Sequence, residues 1–454
     1  MKTALKRGAT ACLLVASLSA MTRAEDMTHD CRIGVYHLRD GSDVDIAPGE
    51  DSRLRWRRKD GTSGELTKTA DGTWTSTLGW TARPDGKRIS FSECGKGEID
   101  FAGVNGKRIA LTVTDTRFQA ADVTLAGRLV MPRSGMPQVG MANGSAKVPI
   151  VVLVHGSENS SALDFYALQR LFPSDGIGTF VYDKRGTGAS AGSYSHDYTL
   201  LAQDAVAAMR EARRLAGARA GKVGYQGTSQ GGWVAPLAAT LAPVDFVVIG
   251  YGLAVSPLDE DREAIVLDMT RRGYGPDIVA KAMEIADASA AVIASNFTAG
   301  YDRIDAVRAE FGNEPWFKYV HGNFTFAVLE MPHEELRVQG PKLLPGIKSH
   351  YDPMPVLREL NTPQLWILGE DDLDAPSAET AKRLKALAAA GRPIVIAMFP
   401  RAEHGMFEYE TQPDGSRLST RNAEGYFTIM ADFIRNGRVQ GRYGSSVITG
   451  SRRD

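Results

Sequence analysis

The fold of this 454-residue chain is decided by the stretch Gly227-Thr228-Ser229-Gln230-Gly231. The stretch matches the pattern G-x-S-x-G, which places a serine on a sharp turn when a strand precedes it and a helix follows it. Residues 222–226 have the composition of that strand, and residues 233–241 have the composition of that helix. Glycines two positions before and after Ser229 leave room for the positive φ that such a turn needs. The stretch therefore predicts a serine hydroxyl that projects from the end of a buried strand.

The same pattern occurs a second time, at residues 188–192, but without the required context. The tripeptide 185–187 separates it from the strand before it, and no obvious helix follows. We therefore predict that Ser190 is a loop residue. The glycines Gly186 and Gly188 also resemble a dinucleotide-binding loop, but that loop should open directly into a helix. No nucleotide cofactor is predicted.

Continuous apolar runs on both sides of the serine stretch predict strands that are buried on both faces of a parallel sheet. The segments between these runs have apolar residues at helical spacing. Between residues 197 and 216 the apolar positions follow +4, +3, +4, +3, and Gly217 ends the pattern. Strands that alternate with helices predict a doubly wound, mostly parallel α/β sheet. The predicted strands are 109–113, 123–130, 150–154, 179–182, 223–225, 246–249, 365–368 and 394–398.

The segment before this sheet, residues 25–107, has a different pattern. It is polar and rich in Gly, Thr and Trp, and its short strand-like runs alternate between apolar and polar residues. Asp-Gly pairs at 60–61, 71–72 and 85–86 lie between such runs, and this is typical of β-hairpins. We predict a small N-terminal β-rich domain.

A second departure from the alternating pattern is the long segment between the strands at 246–249 and 365–368. One crossover needs far fewer residues, so we predict an inserted helical cap at 254–351. The sheet and its helices then comprise 108–253 and 352–437, with a last helix at 424–436. Residues 438–454 are rich in Gly, Arg and Ser, and are predicted to form a flexible tail.

Residues 1–24 have the layout of a secretory signal peptide. Positive residues precede an apolar run at 9–21, and Thr22-Arg23-Ala24 supplies small residues at a cleavage site. We therefore expect a secreted or periplasmic protein. Removing this segment would remove four positive charges and leave a mildly acidic chain.

Two cysteines, Cys31 and Cys94, remain once the signal segment is removed. An oxidising compartment favours a disulfide between them, with two free thiols as the alternative. Such a bond would close a loop of about 60 residues and could stabilise the protein by roughly 4 kcal/mol in the chain-entropy model.

Composition and charge exclude several classes of function. The chain has 53 Lys+Arg and 54 Asp+Glu, whereas a nucleic-acid-binding protein is usually strongly basic. Hydrophobic residues make up 43% and charged residues 24%, as in an ordinary globular protein. No apolar run reaches the 18 residues of a membrane span. The histidines are scattered and no H-E-x-x-H motif occurs, so no metal site is predicted.

A nucleophilic serine needs a base, and the base needs an acid that orients it. His404 is the only histidine beyond the last predicted parallel strand, where the chain order serine, acid, histidine requires the base. The acid should follow the strand at 365–368. The loop there carries four carboxylates, among which the residues alone do not choose: Glu370, Asp371, Asp372 and Asp374.

Negative charge that develops on a substrate oxygen needs backbone N–H donors. One predicted donor is the amide of Gln230, directly after the serine. The second is expected in the loop 155–158 after the strand at 150–154, where we name Ser157. His155 in the same loop is predicted to brace it rather than to act as a base.

Taken together, the ordered motifs resemble the α/β-hydrolase superfamily over about residues 108–437. The motifs are His155-Gly156-Ser157, Asp183–Gly188, Gly227–Gly231, Gly369–Pro376 and His404-Gly405. Members of that family place the acid in G-x-x-D-x-x-V-P. Laid on Gly369, this pattern selects Asp372, with Asp371 and Asp374 in reserve, and Ala375 stands where the family has Val. Residues 183–188 are similar to a loop that is structural in relatives.

The resemblance is to secreted bacterial hydrolases akin to dienelactone hydrolases and acyl-peptidase catalytic domains. It implies a serine hydrolase with Ser229, His404 and Asp372 as a catalytic triad and a small acyl ester as substrate. The alternatives are a peptidase, a thioesterase or acyltransferase with the same triad, and a non-catalytic binding protein on the same scaffold. The aromatic residues of 314–326 either line an acyl pocket or form the core of the cap. No cofactor and no nucleic-acid partner are implied.

Overall fold

The computed structural model describes residues 30–133 and 147–450. The predicted signal peptide at 1–24, most of the Pro/Gly/Ser-rich connector before the first parallel strand, and the last four residues lie outside the described residues. The described chain forms a β-barrel, a large sheet covered by helices, and a helical cap inserted between two strands of that sheet.

Eight antiparallel strands form the N-terminal domain and close into a barrel, which leaves no free sheet edge. They are β1 Gly34–Leu38, β2 Asp43–Pro48, β3 Leu54–Arg58, β4 Ser63–Lys68, β5 Trp74–Thr77, β6 Pro84–Phe91, β7 Glu98–Phe101 and β8 Val104–Arg108. Alternate residues point inward, so that Trp56, Trp74 and Phe101 meet in the barrel core. A disulfide joins Cys31 to Cys94, whose Cα atoms are 5.4 Å apart.

Two of the three Asp-Gly pairs form the predicted hairpin turns. Asp60-Gly61 connects β3 to β4, and Asp71-Gly72 connects β4 to β5. The third expectation was wrong, because Asp85-Gly86 lies inside β6. There Thr77 pairs with Pro84 while Thr75 pairs with Arg88, so the extra residues of β6 bulge out of the ladder. Asp-Gly supplies the positive φ of either a turn or a bulge, and the sequence does not distinguish the two.

A nine-stranded sheet organises the rest of the molecule, in the order β20-β16-β15-β14-β13-β11-β12-β10-β9. Its strands are β9 Leu111–Ala120, β10 Val123–Pro132, β11 Val148–Val154, β12 Gly178–Tyr182, β13 Ala220–Thr228, β14 Val247–Gly250, β15 Gln364–Gly369, β16 Ile394–Phe399 and β20 Val447–Gly450. The six central strands, β11 to β16, are parallel, and every predicted strand is present. Their apolar runs are buried on both faces, as a parallel sheet requires.

Helices cover both faces of this sheet, and each face has its own apolar core. They are α1 Ala162–Phe165, α2 Leu168–Ser174, α3 Tyr198–Ala216, α4 Gly231–Leu241, α10 Met354–Glu359, α11 Ser377–Ala389 and α12 Tyr426–Asn436. The helix α3 begins after Asp197, whose carboxylate accepts the N–H groups of Thr199 and Leu200, and it ends at Gly217. Among the helices of the described ranges, none is both long enough and apolar enough to cross a membrane.

The cap is formed by five helices between β14 and α10. They are α5 Pro257–Arg271, α6 Pro276–Ala294, α7 Tyr301–Phe311, α8 Thr325–Glu330 and α9 His333–Leu343. These helices enclose a core of their own, in which Trp316 is 4% exposed and its ring centroid lies 5.6 Å from that of Phe311. The aromatic residues of 314–326 therefore belong largely to the core of the cap, the second of the two roles considered for them.

The prediction of a flexible tail at 438–454 was wrong for residues 447–450. These residues form β20, which pairs antiparallel with β16 at the edge of the sheet. Three of the four, Val447, Ile448 and Thr449, are β-branched and favour a strand. The free edge of β16 supplies their hydrogen-bond partners.

A small sheet, which we did not predict, follows β16 and lies against the barrel. Its strands are β17 Ala402–Glu403, β18 Phe407–Thr411 and β19 Arg417–Asn422. The ring centroid of Trp80, in the barrel domain, lies 4.3 Å from that of Phe407. The backbone N–H of Trp80 donates to the carbonyl of Ser419. The sequence Pro413-Asp414-Gly415 between β18 and β19 is a turn signal that could have revealed this hairpin.

Candidate active site

Ser229 lies on the sharp turn between β13 and α4, with a φ of 50°. A positive φ is unfavourable for a serine, so the surrounding backbone must hold it. The N–H of Ser229 donates to the carbonyl of Gly250 over 3.1 Å, and its carbonyl accepts the N–H of Gly232 over 2.7 Å. These bonds fix the hydroxyl at the carboxyl end of the central strand.

The glycines of the stretch are required because backbone passes close to them. A Cβ atom at Gly231 would lie 2.8 Å from the carbonyl oxygen of Val154 and 2.9 Å from that of His155. A Cβ atom at Gly227 would lie 2.3 Å from the carbonyl oxygen of Gly231. Glycine at these positions therefore lets α4 start directly against the end of β11.

Ser229, His404 and Asp372 form a continuous hydrogen-bonded chain. Nε2 of His404 lies 3.1 Å from Oγ of Ser229, and Nδ1 of His404 lies 3.0 Å from Oδ2 of Asp372. Ser229 directly follows β13, Asp372 lies in the loop after β15, and His404 directly follows β17. His404 is 175 residues from Ser229 and 32 residues from Asp372 along the chain. The structure thus brings together the three residues that we named from the sequence and the resemblance.

The loop after β15 presents one of its carboxylates to His404. Oδ1 of Asp372 accepts the N–H groups of Asp374 at 3.0 Å and Ala375 at 2.7 Å, which leaves Oδ2 for the imidazole. Asp371 accepts instead from the hydroxyl of Tyr409 and from Arg271 of the cap. Because Asp372 is 1% exposed and held by two amides, it can keep the imidazole in one orientation.

Three carboxylates determine the protonation of His404. Burial disfavours the imidazolium, but the carboxylates of Asp372, Asp374 and Glu260 outweigh burial and raise the pKa of His404 to about 9. Burial also raises the pKa of Asp374 and of Glu260. The site therefore stabilises the imidazolium that forms when His404 takes a proton from Ser229.

The two predicted oxyanion donors belong to the serine turn and to the loop after β11. Gln230 is the N-cap of α4, and a helix has no intrahelical acceptor for its first N–H groups. Ser157 follows Gly156 in the loop after β11, and a Cβ atom on Gly156 would lie 3.4 Å from the carbonyl oxygen of Thr228. The loop that carries Ser157 therefore runs beside the nucleophile strand.

Other residues that the sequence singled out have structural contacts. His155 is buried, and its Nε2 donates to the carbonyl of Tyr182 over 2.6 Å, as expected for a residue that braces its loop. The hydroxyl of Ser190 donates to the carbonyl of Asp183 and accepts the N–H of Ala126. Ser190 thus holds the loop 183–190 against β10.

The sequence did not reveal three further residues at the site. The ring of Tyr251 packs edge-on against that of His404, with centroids 4.8 Å apart. From the cap, the charge of Glu260 raises the pKa of His404, and Nδ2 of Asn323 donates to the carbonyl of Asp374 over 2.6 Å. No hydrolase motif surrounds Glu260 or Asn323, and the positive φ of Tyr251 is a property of the fold alone. Within the described ranges, no three His, Cys, Asp or Glu side chains are grouped to hold a metal ion.

Solved structures that are similar to this chain include an acylaminoacyl peptidase, an esterase and the protein Est1E. The Pyrococcus horikoshii acylaminoacyl peptidase has 15% identity and a TM-score of 0.40, with 80% of this chain and 52% of the peptidase covered. A Pyrococcus furiosus esterase has 16% identity and a TM-score of 0.39, with 65% and 85% covered. Est1E from Butyrivibrio proteoclasticus, solved with ferulic acid, has 13% identity and a TM-score of 0.37, with 71% and 97% covered. The chain spans about half the length of the acylaminoacyl peptidases that it matches.

The family comparison covers more than half of the chain. Residues 151–415 match the model of a family described as "Alpha/beta hydrolase family", and this range includes Ser229, Asp372 and His404. A comparison with curated protein sequences found no match. The doubly wound sheet and the family match agree, and the chain therefore belongs to the alpha/beta hydrolase family.

Proposed function

We propose that this hydrolase is a secreted serine hydrolase that cleaves a carboxylic ester through an acyl-enzyme on Ser229. The observation that carries the proposal is the hydrogen-bonded chain from Ser229 through His404 to Asp372, at 3.1 and 3.0 Å. A nucleophile, a base and an orienting acid within hydrogen-bond distance of one another are the parts that acyl transfer needs.

The chemistry follows from the positions of these groups. Oγ of Ser229 attacks the carbonyl carbon of the ester while Nε2 of His404 takes its proton. The negative charge on the carbonyl oxygen meets the N–H groups of Gln230 and Ser157. His404 then gives its proton to the leaving alkoxide, and the ester C–O bond breaks. Water attacks the acyl-enzyme with His404 again as the base, which releases the carboxylic acid and restores Ser229.

Labelling with a fluorophosphonate probe tests the nucleophile. We expect the wild-type protein to be labelled at Ser229 and the Ser229→Ala variant not to be labelled. Ser190→Ala is the matched control, because Ser190 lies in the second G-x-S-x-G match and its hydroxyl is held in a loop; this variant should keep its labelling. A labelled Ser229→Ala protein, or no labelling of the wild type, would contradict the proposal.

An ester is the preferred substrate because an alkoxide leaves with less proton assistance than an amine does. Comparing p-nitrophenyl esters of graded acyl length with aminoacyl p-nitroanilides tests this preference. We expect kcat/KM for the best ester to exceed that for the best anilide by orders of magnitude. Equal values would favour a peptidase, and turnover of acyl thioesters above oxygen esters would favour a thioesterase.

Secretion is supported by the signal-peptide pattern at 1–24 and is consistent with a disulfide between Cys31 and Cys94. Expression of the full chain in a bacterial host, followed by fractionation and mass spectrometry, tests it. We expect a periplasmic or extracellular protein that begins at Glu25. A chain that keeps residues 1–24 and stays in the cytoplasm would contradict this part of the proposal.

A further inference from the structure

The loop that carries Ser157 is held by a lysine to which the mechanism assigns no role. Nζ of Lys184 donates to the carbonyl of Gly156 over 2.8 Å, and Lys184 is 3% exposed. Gly156 C=O and Ser157 N–H belong to one trans peptide unit, so the two groups point in opposite directions. Fixing the carbonyl with Lys184 therefore fixes the direction of the Ser157 N–H, the second predicted oxyanion donor.

The first predicted donor is held by a histidine. Nδ1 of His196 lies 2.7 Å from Nε2 of Gln230, and both residues are at least nine-tenths buried. Burial lowers the pKa of His196 to about 4, so the ring is neutral, and the backbone carbonyl of Leu343 accepts the ring N–H. We assign this N–H to Nε2, which leaves Nδ1 to accept from Gln230.

The contact with His196 sets the orientation of the Gln230 side chain. Oε1 of Gln230 is buried and has no hydrogen-bond partner within residues 30–133 and 147–450. The bond to His196 is thus the polar contact that keeps this amide from rotating. Because the side chain is held at its far end, the backbone of Gln230 at the start of α4 has less freedom to move.

Tyr194 contacts both Lys184, which holds the Ser157 loop, and His196, which holds Gln230. Its hydroxyl donates to the carbonyl of Ser157, and Nζ of Lys184 lies 4.7 Å from the centre of its ring. The rings of Tyr194 and His196 meet edge to face, with centroids 5.0 Å apart. The backbone N–H of His196 donates to the carbonyl of Pro345, just beyond the last cap helix.

We propose that Lys184, Tyr194 and His196 form a positioning cluster that sets the distance between the N–H groups of Gln230 and Ser157. The inference rests on the proposed function, since it assigns these residues to the oxyanion site of that reaction. None of the three touches the reacting atoms, so they are positioning residues. Hydrogen-bond donors stabilise a developing oxyanion only when they are aimed at its final position, and a small displacement reduces the rate.

Lys184→Met removes the donor to Gly156 and keeps most of the side-chain volume. We expect kcat for the best p-nitrophenyl ester to fall about tenfold to hundredfold, with KM within about threefold of wild type. Lys382→Met, at an exposed lysine of α11, is the matched control and should leave both constants unchanged. Tyr194→Phe removes a single hydroxyl, keeps the ring packed, and should lower kcat in the same direction even if Lys184→Met does not fold.

Two substitutions of His196 separate its two hydrogen bonds. Asparagine places an acceptor near the position of Nδ1, so His196→Asn keeps the bond to Gln230. Glutamine reaches the position of Nε2, so His196→Gln keeps the contact with Leu343 and loses the bond to Gln230. We expect His196→Gln to lower kcat about tenfold at unchanged KM, and His196→Asn to stay within about threefold of wild type.

A trifluoromethyl ketone inhibitor supplies a readout that a purely structural role would not affect. Its adduct with Ser229 carries an oxyanion, so its Ki should rise in each variant by the same factor by which kcat/KM falls. Wild-type kcat in Lys184→Met, Tyr194→Phe and His196→Gln would overturn the inference, as would equal loss in His196→Asn and His196→Gln. A wild-type protein that neither reacts with fluorophosphonate nor hydrolyses esters would overturn the proposed function itself.

Discussion

Among the residues of the site, the hydrogen bond between Asp372 and His404 gives a direct prediction. Asp372→Asn keeps the shape of the side chain but removes the charge that holds Nδ1 as a donor. By analogy with serine hydrolases in general, we expect kcat to fall by about 10⁴-fold, because the imidazole takes the wrong tautomer. Steady-state kinetics with the best ester measures this. A loss below about tenfold would mean that another carboxylate orients His404.

The carboxylate of Asp374 gives a prediction about pH. His404 acts as a base only when neutral, and its pKa is raised to about 9 by Asp372, Asp374 and Glu260 against the effect of burial. We therefore expect kcat/KM to rise with pH up to about 9. Asp374→Asn removes a carboxylate that favours the imidazolium, so the rising limb should move to lower pH.

Asp371→Asn is the matched control for this experiment. Asp371 belongs to the same loop, but its carboxylate accepts from Tyr409 and Arg271 rather than facing His404. The variant should leave the rising limb where it is in the wild type. If both variants shift the limb equally, the loop as a whole, and not the charge of Asp374, determines the pKa of His404.

The sequence alone was sufficient to predict Ser229 and His404, because each follows a recognisable strand. The serine turn requires glycines, and the order of strands leaves a single histidine after the last parallel strand. Asp372 needed the family resemblance, because all four carboxylates of its loop are chemically equivalent in sequence. Lys184 and Glu260 could not be recognised, since each acquires its neighbours only when distant segments fold together.

At the level of elements, the edge strand β20 gives a prediction about stability and association. Deleting residues 447–454 would expose the edge of β16, whose backbone groups would then be unpaired. We expect the free energy of unfolding to fall by about 1–3 kcal/mol and aggregation on heating to increase. Deleting 451–454 alone keeps β20 and should behave as the wild type. Thermal melting with light scattering measures both effects, and equal behaviour of the two deletions would contradict the role given to β20.

The elements that the sequence missed share a physical cause. Continuous apolar runs and helical spacing report burial, so they predicted the central strands and the main helices. The strands β18, β19 and β20 are only partly buried, and β17 is buried but has only two residues, so none of the four shows a strong pattern. A Pro-Asp-Gly turn and a β-branched run are detectable signals, but composition rich in Gly and Arg concealed the second.

At the scale of the whole molecule, the barrel is attached to the sheet domain by contacts that no local pattern predicts. Arg170 of α2 and Asp45 of β2 are 125 residues apart, and their side chains form two hydrogen bonds of 2.5 and 3.0 Å. Arg170 is 9% exposed and Asp45 is fully buried. The hydrophobic pattern predicted a separate β-rich domain, but the docking partner of its surface depends on the arrangement of both domains.

This buried ion pair carries the last prediction. Asp45→Ala leaves the guanidinium of Arg170 buried without its partner, so the free energy of unfolding should fall by about 3–5 kcal/mol in urea titrations. Asp115→Ala breaks a pair with Arg128 in which the aspartate is 66% exposed, and should change it by about 1 kcal/mol or less. The double variant Asp45→Ala with Arg170→Leu removes both charges and should recover part of the loss. If Asp45→Ala is no more destabilising than Asp115→Ala, the pair does not hold the barrel in place, and the contact between Trp80 and Phe407 becomes the main candidate for that role.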